Sequence, residues 1–186
     1  LAAEVLGSAM CDRGCRVAVG ETYGASQRGG SVMSHVRVSM KMDPSVLIPS
    51  GEAHIIIGFE PLETLRMVRK YAGKDTTVVY DPRPVYPLGV LQGIQQYPAV
   101  EDIAAEIRDL TAMALAVPAA GIAMEAGDSK SANIALLGAF SQLPDAPLSR
   151  EDLEKILLQR FKGTVLEVNQ RAFAMGCEAA GKGAGL

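Results

Sequence analysis

Cysteine is scarce. Cys11, Cys15 and Cys177 are the three in 186 residues, an odd number in a long chain, which argues against a secreted disulfide framework and for a reducing compartment such as the cytoplasm. No two of them form a Cys-x-x-Cys pair, so the chain cannot hold an iron–sulfur cluster by the usual set of about four thiolates. Cys11 and Cys15 are spaced to meet on one helical face, yet two thiolates without a second pair or a nearby histidine do not complete a tetrahedral metal site. They read as small hydrophobes. Long apolar runs are missing too: the longest, at 53–59 and 112–120, fall short of the roughly 20 residues that a membrane-spanning helix needs. A basic excess is also absent. With a net charge of -3 and a pI near 5.4 the chain has no field suited to a phosphate backbone, and nucleic acid is not an expected partner. No targeting signal or N-cap precedes the apolar stripe of Leu1, Val5, Leu6 and Met10, so the pattern begins in mid-helix and predicts further chain upstream.

What is present is a hydrophobic content of 48%, enough for one sizeable core. A single domain over 1–186 is expected. The first helix closes at Gly14, and 15–19 reads as a short buried strand. A loop over 20–30 follows, with no hydrophobic period and with Gly20, Gly24, Gly29 and Gly30 available for conformations other residues avoid. From 31 to 40 the residues alternate, Val32, Ser34, Val36, Val38 and Met40 on one face against Met33, His35, Arg37 and Ser39 on the other, which predicts a strand with one polar face. The β-branched run 53–59, a helix over 62–71 and a strand at 76–80 make a parallel strand–helix–strand unit. Pro82, Pro84, Pro87 and Pro98 keep 81–98 extended or looped. A helix at 100–110, a strand at 113–117 and a helix closed by Gly127 come next. Beyond them the chain reads as helical: 131–140, a helix opened by the capping pattern Ser149-Arg-Glu-Asp152 with Leu153, Ile156, Leu157 and Phe161 on one face, and a helix over 164–180. The predicted class is a three-layer α/β/α domain with a largely parallel or mixed sheet and a helical C-terminal third.

Candidate chemistry concentrates in the 20–30 loop. Glu21, Tyr23, Ser26, Gln27 and Arg28 stand there beside bare glycine amides, an arrangement suited either to binding an anion or partner or to a plain glycine-rich connection. The stretch from Gly24 to Ser31 has the spacing of a phosphate-binding loop, but Gly30 occupies the position where a lysine must reach the phosphates, which excludes a nucleoside triphosphatase of that type. His35 and Arg37, two apart on one strand face, point the same way toward a ligand, another subunit or solvent. His54 opens a buried run and reads as structural rather than as a base. No Ser-His-Asp ordering, metal spacing or carboxylate pair is defensible, and no catalytic or metal residue is expected.

The segment Glu21-Thr-Tyr-Gly-Ala-Ser-Gln-Arg-Gly-Gly-Ser-Val-Met-Ser-His-Val-Arg37 resembles the signature of the gamma subunit, or gamma domain, of 2-oxoacid:ferredoxin oxidoreductases, and is most similar to the indolepyruvate branch. Further matches keep the family order: Leu1-Ala-Ala-Glu-Val-Leu, Gly14-Cys-Arg-Val17, Tyr97-Pro98, Asn133-Ile-Ala-Leu-Leu-Gly-Ala139, Phe161-Lys and Asn169-Gln-Arg-Ala-Phe173. The glycine-rich strand-to-helix turn that the family carries before the position of Leu1 is not in the sequence. The resemblance implies a subunit that supports oxidative decarboxylation of a 2-oxoacid to acyl-coenzyme A, with electrons passed to ferredoxin. It places thiamine diphosphate, Mg and iron–sulfur clusters in thiamine-binding and ferredoxin-like partner subunits, with coenzyme A as co-substrate. The best-matched substrate, coenzyme A or subunit contacts are Glu21, Tyr23, Gly24, Ser26, Gln27, Arg28, Gly29, Gly30, His35 and Arg37. A chain parted from such partners is expected to be inactive and to self-associate. The alternative reading is a stand-alone nucleotide- or metabolite-binding α/β module.

Overall fold

The computed structural model describes residues 1–23 and 32–183, with side chains for 1–22 and 32–182. Among these, backbone contacts separate two compact units. One comprises Leu1–Thr22, Met33–Ile48 and 117–183, and the other comprises Tyr23, Val32 and Pro49–Ala116. The chain carries a parallel three-stranded sheet flanked by helices and a mostly helical C-terminal part, the mixed α/β class expected from the pattern.

The sheet unit is built on strands β3 (Ala53–Gly58), β4 (Ala72–Tyr80) and β5 (Met113–Ala116), hydrogen-bonded in that order and all parallel. Helix α2 (Pro61–Tyr71) joins the first two strands; α3 (Leu88–Leu91) and α4 (Val100–Asp109) lie between the second and third. Val78, Val79 and Tyr80 are all buried, the unbroken apolar run of a parallel strand covered on both faces, and Leu65, Val68, Ile103 and Ile107 supply helical partners. Strand β4 starts at Ala72, four residues before the expected Thr76. Its first residue pairs with Ala53, after which the register jumps so that Ile55 faces Thr77. Buried Thr76 bridges the irregularity, its Oγ1 donating to the Ala53 carbonyl at 2.5 Å and accepting from the Gly73 amide at 2.7 Å. A polar stretch with that role carries no apolar alternation to read. His54 is exposed, a correction to its structural reading, because the side chains flanking it at Ala53 and Ile55 take the covered positions.

The second unit holds α1 (Ala2–Asp12), all but the end residues Tyr23 and Val32 of the paired strands β1 (Arg16–Tyr23) and β2 (Val32–Ser39), and α5 (Ala119–Ala126), α6 (Ala132–Phe140), α7 (Arg150–Arg160) and α8 (Gly163–Gly183). Helix α1 stops before Cys15, so Cys11 and Cys15 do not share a helical face; the Cys15 thiol donates to Met40 Sδ at 3.3 Å instead. The core is the crossing of α6 and α8. Helix α6 is buried from Ile134 through Phe140, the signature of a helix covered all round. A Cβ on Gly138 would stand 2.1 Å from the Phe173 carbonyl oxygen, and one on Gly176 would stand 2.0 Å from that of Ala135, so the two backbones touch where only glycine fits. The family-like stretches at 133–139 and 169–173 are this contact. Gly127 ends α5 at φ +115°, as its position suggested. Helix α7 has the full capping box of Ser149 and Asp152, but it ends at Arg160, so Phe161 is a C-cap in extended backbone rather than part of the helical face.

Candidate functional site

Strand β1 runs four residues beyond the expected Val19, and Gly20, Glu21, Thr22 and Tyr23 are strand rather than loop. The crossing is close at Gly20: a Cβ there would lie 2.4 Å from Val46 Cγ1 and 3.3 Å from the Val46 carbonyl oxygen, so Val46 would have to shift to admit a side chain. Glu21 and Thr22 are exposed, and Thr22 Oγ1 donates to the Met33 carbonyl on β2 at 3.4 Å. The side chain of Tyr23 and the whole of Gly24, Ser26, Gln27, Arg28, Gly29 and Gly30 lie outside the described residues.

His35 and Arg37 project from β2 toward residues 45–48. His35 is 3% exposed, and its Nδ1 accepts from the Ile48 amide at 3.1 Å. Arg37 donates to the Leu47 carbonyl at 2.9 Å and to the Ser45 hydroxyl. On the other face of the strand Val32 and Val38 are exposed, Val32 at 63%, and Val36 is half-buried; Met40, just past the strand end, is 71% exposed. Thus His35 and Arg37 of β2 face a covering segment while Val32 and Val38 stay open, the reverse of what a solvated polar face would give. His35 and Arg37 thereby satisfy the Ile48 amide, the Leu47 carbonyl and the Ser45 hydroxyl of the segment that crosses them.

A second polar centre, absent from the candidates read in the sequence, lies in the sheet unit. The Glu60 carboxylate caps α2 by accepting from the Glu63 amide at 2.8 Å, accepts the Tyr97 hydroxyl, and reaches the Val85 amide at 3.5 Å. Burial first, and the neighbouring Glu60 carboxylate second, push the Tyr97 phenol well above its ordinary value. Tyr86 packs edge-on against Tyr97 at 5.2 Å. Between α2 and residues 87–98 lies an open cleft of about 510 Å³, with Leu62, Leu65, Val90 and Pro98 as its apolar lining and Arg66, Arg69 and Gln95 at its polar rim. Both arginines are already engaged, Arg66 with Glu63 and Arg69 bidentately with Glu106 at 2.6 and 2.7 Å. The guanidinium bonded to it holds the Glu106 carboxyl below its usual range. The Tyr97-Pro98 pair was legible as a family match, but its partner 37 residues away was not.

The described residues gather no set of three His, Cys, Asp or Glu side chains placed to hold a metal ion, and no described helix is long and apolar enough to cross a membrane. Burial raises the Cys177 thiol above its ordinary value, which leaves it a poor nucleophile rather than an activated one.

Residues 1–179 match the family model described as pyruvate ferredoxin/flavodoxin oxidoreductase. The chain is 37% identical over 186 residues to the indolepyruvate oxidoreductase subunit IorB of Thermococcus kodakarensis, covering 100% of this chain and 91% of that one. It is 36% identical to the IorB subunit of Pyrococcus horikoshii, over 96% of this chain and 88% of the other. Among solved structures it is similar to the gamma subunit of keto/oxoacid ferredoxin oxidoreductase from Geobacter sulfurreducens, with a TM-score of 0.65 and 22% identity over 97% of this chain and 90% of that one, a likeness of fold. It is also similar to the 2-oxoglutarate:ferredoxin oxidoreductase of Magnetococcus marinus, solved with 2-oxoglutarate, coenzyme A and succinyl-CoA, with a TM-score of 0.69 and 25% identity. That match covers 97% of this chain but only 28% of the much longer Magnetococcus chain.

Proposed function

The chain belongs to the pyruvate ferredoxin/flavodoxin oxidoreductase family, and from that premise we propose that it is the gamma-type subunit of a 2-oxoacid:ferredoxin oxidoreductase of the indolepyruvate branch. The observation that carries the reading is the end-to-end match at 37% identity with an indolepyruvate oxidoreductase subunit, which leaves no domain of this chain to a different task. The assembly oxidatively decarboxylates an aromatic 2-oxoacid to its acyl-coenzyme A and passes the electrons to ferredoxin. Thiamine diphosphate, Mg and the iron–sulfur clusters are assigned to partner subunits. With three cysteines in all, this chain falls short of the roughly four thiolates that one cluster takes. The free thiols of Cys11, Cys15 and Cys177 support a cytoplasmic setting.

In that assembly the contact residues are Glu21, Tyr23, Gly24, Ser26, Gln27, Arg28, Gly29 and Gly30, with Arg28 as the charge offered to a carboxylate, a phosphate or a neighbouring subunit. His35 and Arg37 stand behind them, committed to residues 45–48 of their own unit. Val32, Val38, Met40, Leu88, Leu91 and Ile94 are exposed apolar side chains that suit cover by other chains, and they would drive self-association of the chain alone.

Reconstitution tests the reading. The chain mixed with its thiamine-binding and ferredoxin-like partners should restore indolepyruvate- and coenzyme A-dependent reduction of ferredoxin, while the chain alone should show no turnover and no cluster absorbance. Partners that turn over fully without this chain, or turnover by this chain alone, would overturn it. Preference for a short aliphatic 2-oxoacid would keep the subunit role and reject the indolepyruvate branch.

A further inference from the structure

We infer that residues 85–94 form an apolar ridge through which two copies of this chain pair about a two-fold axis, the ridge of each seated in the cleft of the other. Val85, Tyr86, Leu88, Leu91 and Ile94 are between 48% and 75% exposed within one short stretch. Together they leave on the order of 600 Å² of apolar surface open, the upper end of the ~300–600 Å² found for the largest patch on a typical monomer. Nor is the ridge loose. Glu60 reaches both its ends, at the Val85 amide and the Tyr97 hydroxyl, and the Gly89 carbonyl accepts from the Ile94 and Gln95 amides at 2.9 and 3.0 Å. A surface held this way associates without first losing much conformational freedom.

Shape, charge and area each select a second copy as the occupant. The ridge carries its own complement beside it: Val90 of α3 lines the open cleft of about 510 Å³ against α2, with Leu62, Leu65 and Pro98, whereas Leu88 and Leu91 of the same helix stand outside that lining. One surface therefore offers both an apolar projection and an apolar recess, the condition for an isologous contact in which each copy gives and receives the same part. Residues 84–100 contain no Asp, Glu, Lys, Arg or His, and the two arginines at the cleft rim are neutralised within their own copy, Arg66 by Glu63 and Arg69 by Glu106. A charged face repels its own copy; this one does not. Its glutamines, Gln92, Gln95 and Gln96, carry amides that both donate and accept, so like can meet like. Ridge and cleft lining together come close to the ~800 Å² per partner of a stable interface, and an uncharged centre of aromatic and aliphatic side chains is the composition of one. The pairing assigns the self-association of this chain to one face and one symmetry, and it rests on no part of the proposed activity.

Sedimentation equilibrium on the full chain over about 1–100 μM tests the pairing by mass action, with hydrogen exchange by mass spectrometry at both ends of that range. The species formed should be a dimer and not an open series, because an isologous contact closes on itself. Amides of residues 85–96 and of α2 should exchange more slowly in the concentrated sample than in the dilute one. Leu88→Glu combined with Leu91→Glu should weaken the dimer on the order of a hundredfold or more. Both side chains are largely exposed, so melting at the dilute end should stay unchanged. Met42→Glu, at an exposed apolar position in the other unit, is the control and should leave the dimer intact. A chain that stays monomeric at the highest concentration overturns the pairing, as does a dimer that survives the double substitution. Protection of residues 85–96 that appears only when a thiamine-binding partner is added gives the ridge to that subunit and equally overturns it. The exchange reading uses the unmodified chain, so a poorly folding variant still leaves a decision.

Discussion

The Tyr97 hydroxyl donates to the same Glu60 carboxylate that caps the first turn of α2, so one acidic side chain ties a proline-rich stretch to a helix N-terminus 37 residues upstream. Because Glu60 does two jobs and Tyr97 one, their substitutions should differ in size. Tyr97→Phe should cost about 1.5–3 kcal/mol, the range for a hydrogen bond to a charged group. Glu60→Ala should cost more, since the cap adds about 1 kcal/mol. Chemical denaturation of the two single variants and the double variant measures this, and additive losses would show that the pair is not coupled.

The same pair sets an alkaline limit. A phenol whose folded value is raised above its unfolded value of about 10 contributes stability that is complete below pH ~10 and is lost as the pH climbs toward the folded value. Stability should therefore fall on the alkaline side of pH ~10, and Tyr97→Phe should flatten that limb in melting curves taken across pH 8–11.5.

At the α6–α8 crossing, Gly138→Ala puts a methyl 2.1 Å from the Phe173 carbonyl oxygen, a backbone atom with no room to withdraw. It should destabilise by about 2–3 kcal/mol, the range of core overpacking. Gly121, on the exposed side of α5, is the control. Its added Cβ meets nothing within 4 Å, and Gly121→Ala should stabilise by about 0.5–1 kcal/mol through helix propensity alone. Opposite signs from one substitution type would be read in a single pair of denaturation curves.

The capping box at α7 predicts an acid-side effect. Backbone and side-chain bonds at Ser149, aided by Arg13, hold the Asp152 carboxyl below its ordinary value. Its contribution is present above the unfolded value of about 3.9 and is lost as pH falls through the lower folded value. Asp152→Asn should leave stability less dependent on pH below about 4, and Ser149→Ala should cost about 1 kcal/mol at neutral pH. Both are read from melting temperatures between pH 3 and 7.

Arg28→Ala addresses the proposed contact. A side chain that serves a partner rather than its own fold changes stability by no more than about 0.5 kcal/mol when removed, so melting should be unchanged while reconstituted turnover or assembly falls. Unchanged turnover would remove Arg28 from the contact, and a sharp drop in melting temperature would make it an internal clamp.

Much of this protein was written locally. The β-branched run at Ile55–Ile57, the proline-bounded stretch after Asp81, the Ser149–Asp152 box and Gly127 each act through neighbours a few residues away, which is why period and capping chemistry located β3, α7 and the end of α5. The family of the chain was legible in the same way, from ordered short matches. The facing of β2 was not. Alternation marks a strand and its two faces, but the inward face belongs to whichever side another segment covers. Here His35 and Arg37 meet the backbone of residues 45–48, while Val32 and Val38 stay open. Gly20, Gly138 and Glu60 share that character: each answers to a partner at least 26 residues away, Val46, Phe173 and Tyr97, brought close only by the fold. Periodicity sees spacing along one element, whereas close approach between backbones and the pairing of buried polar groups arise only once distant elements pack.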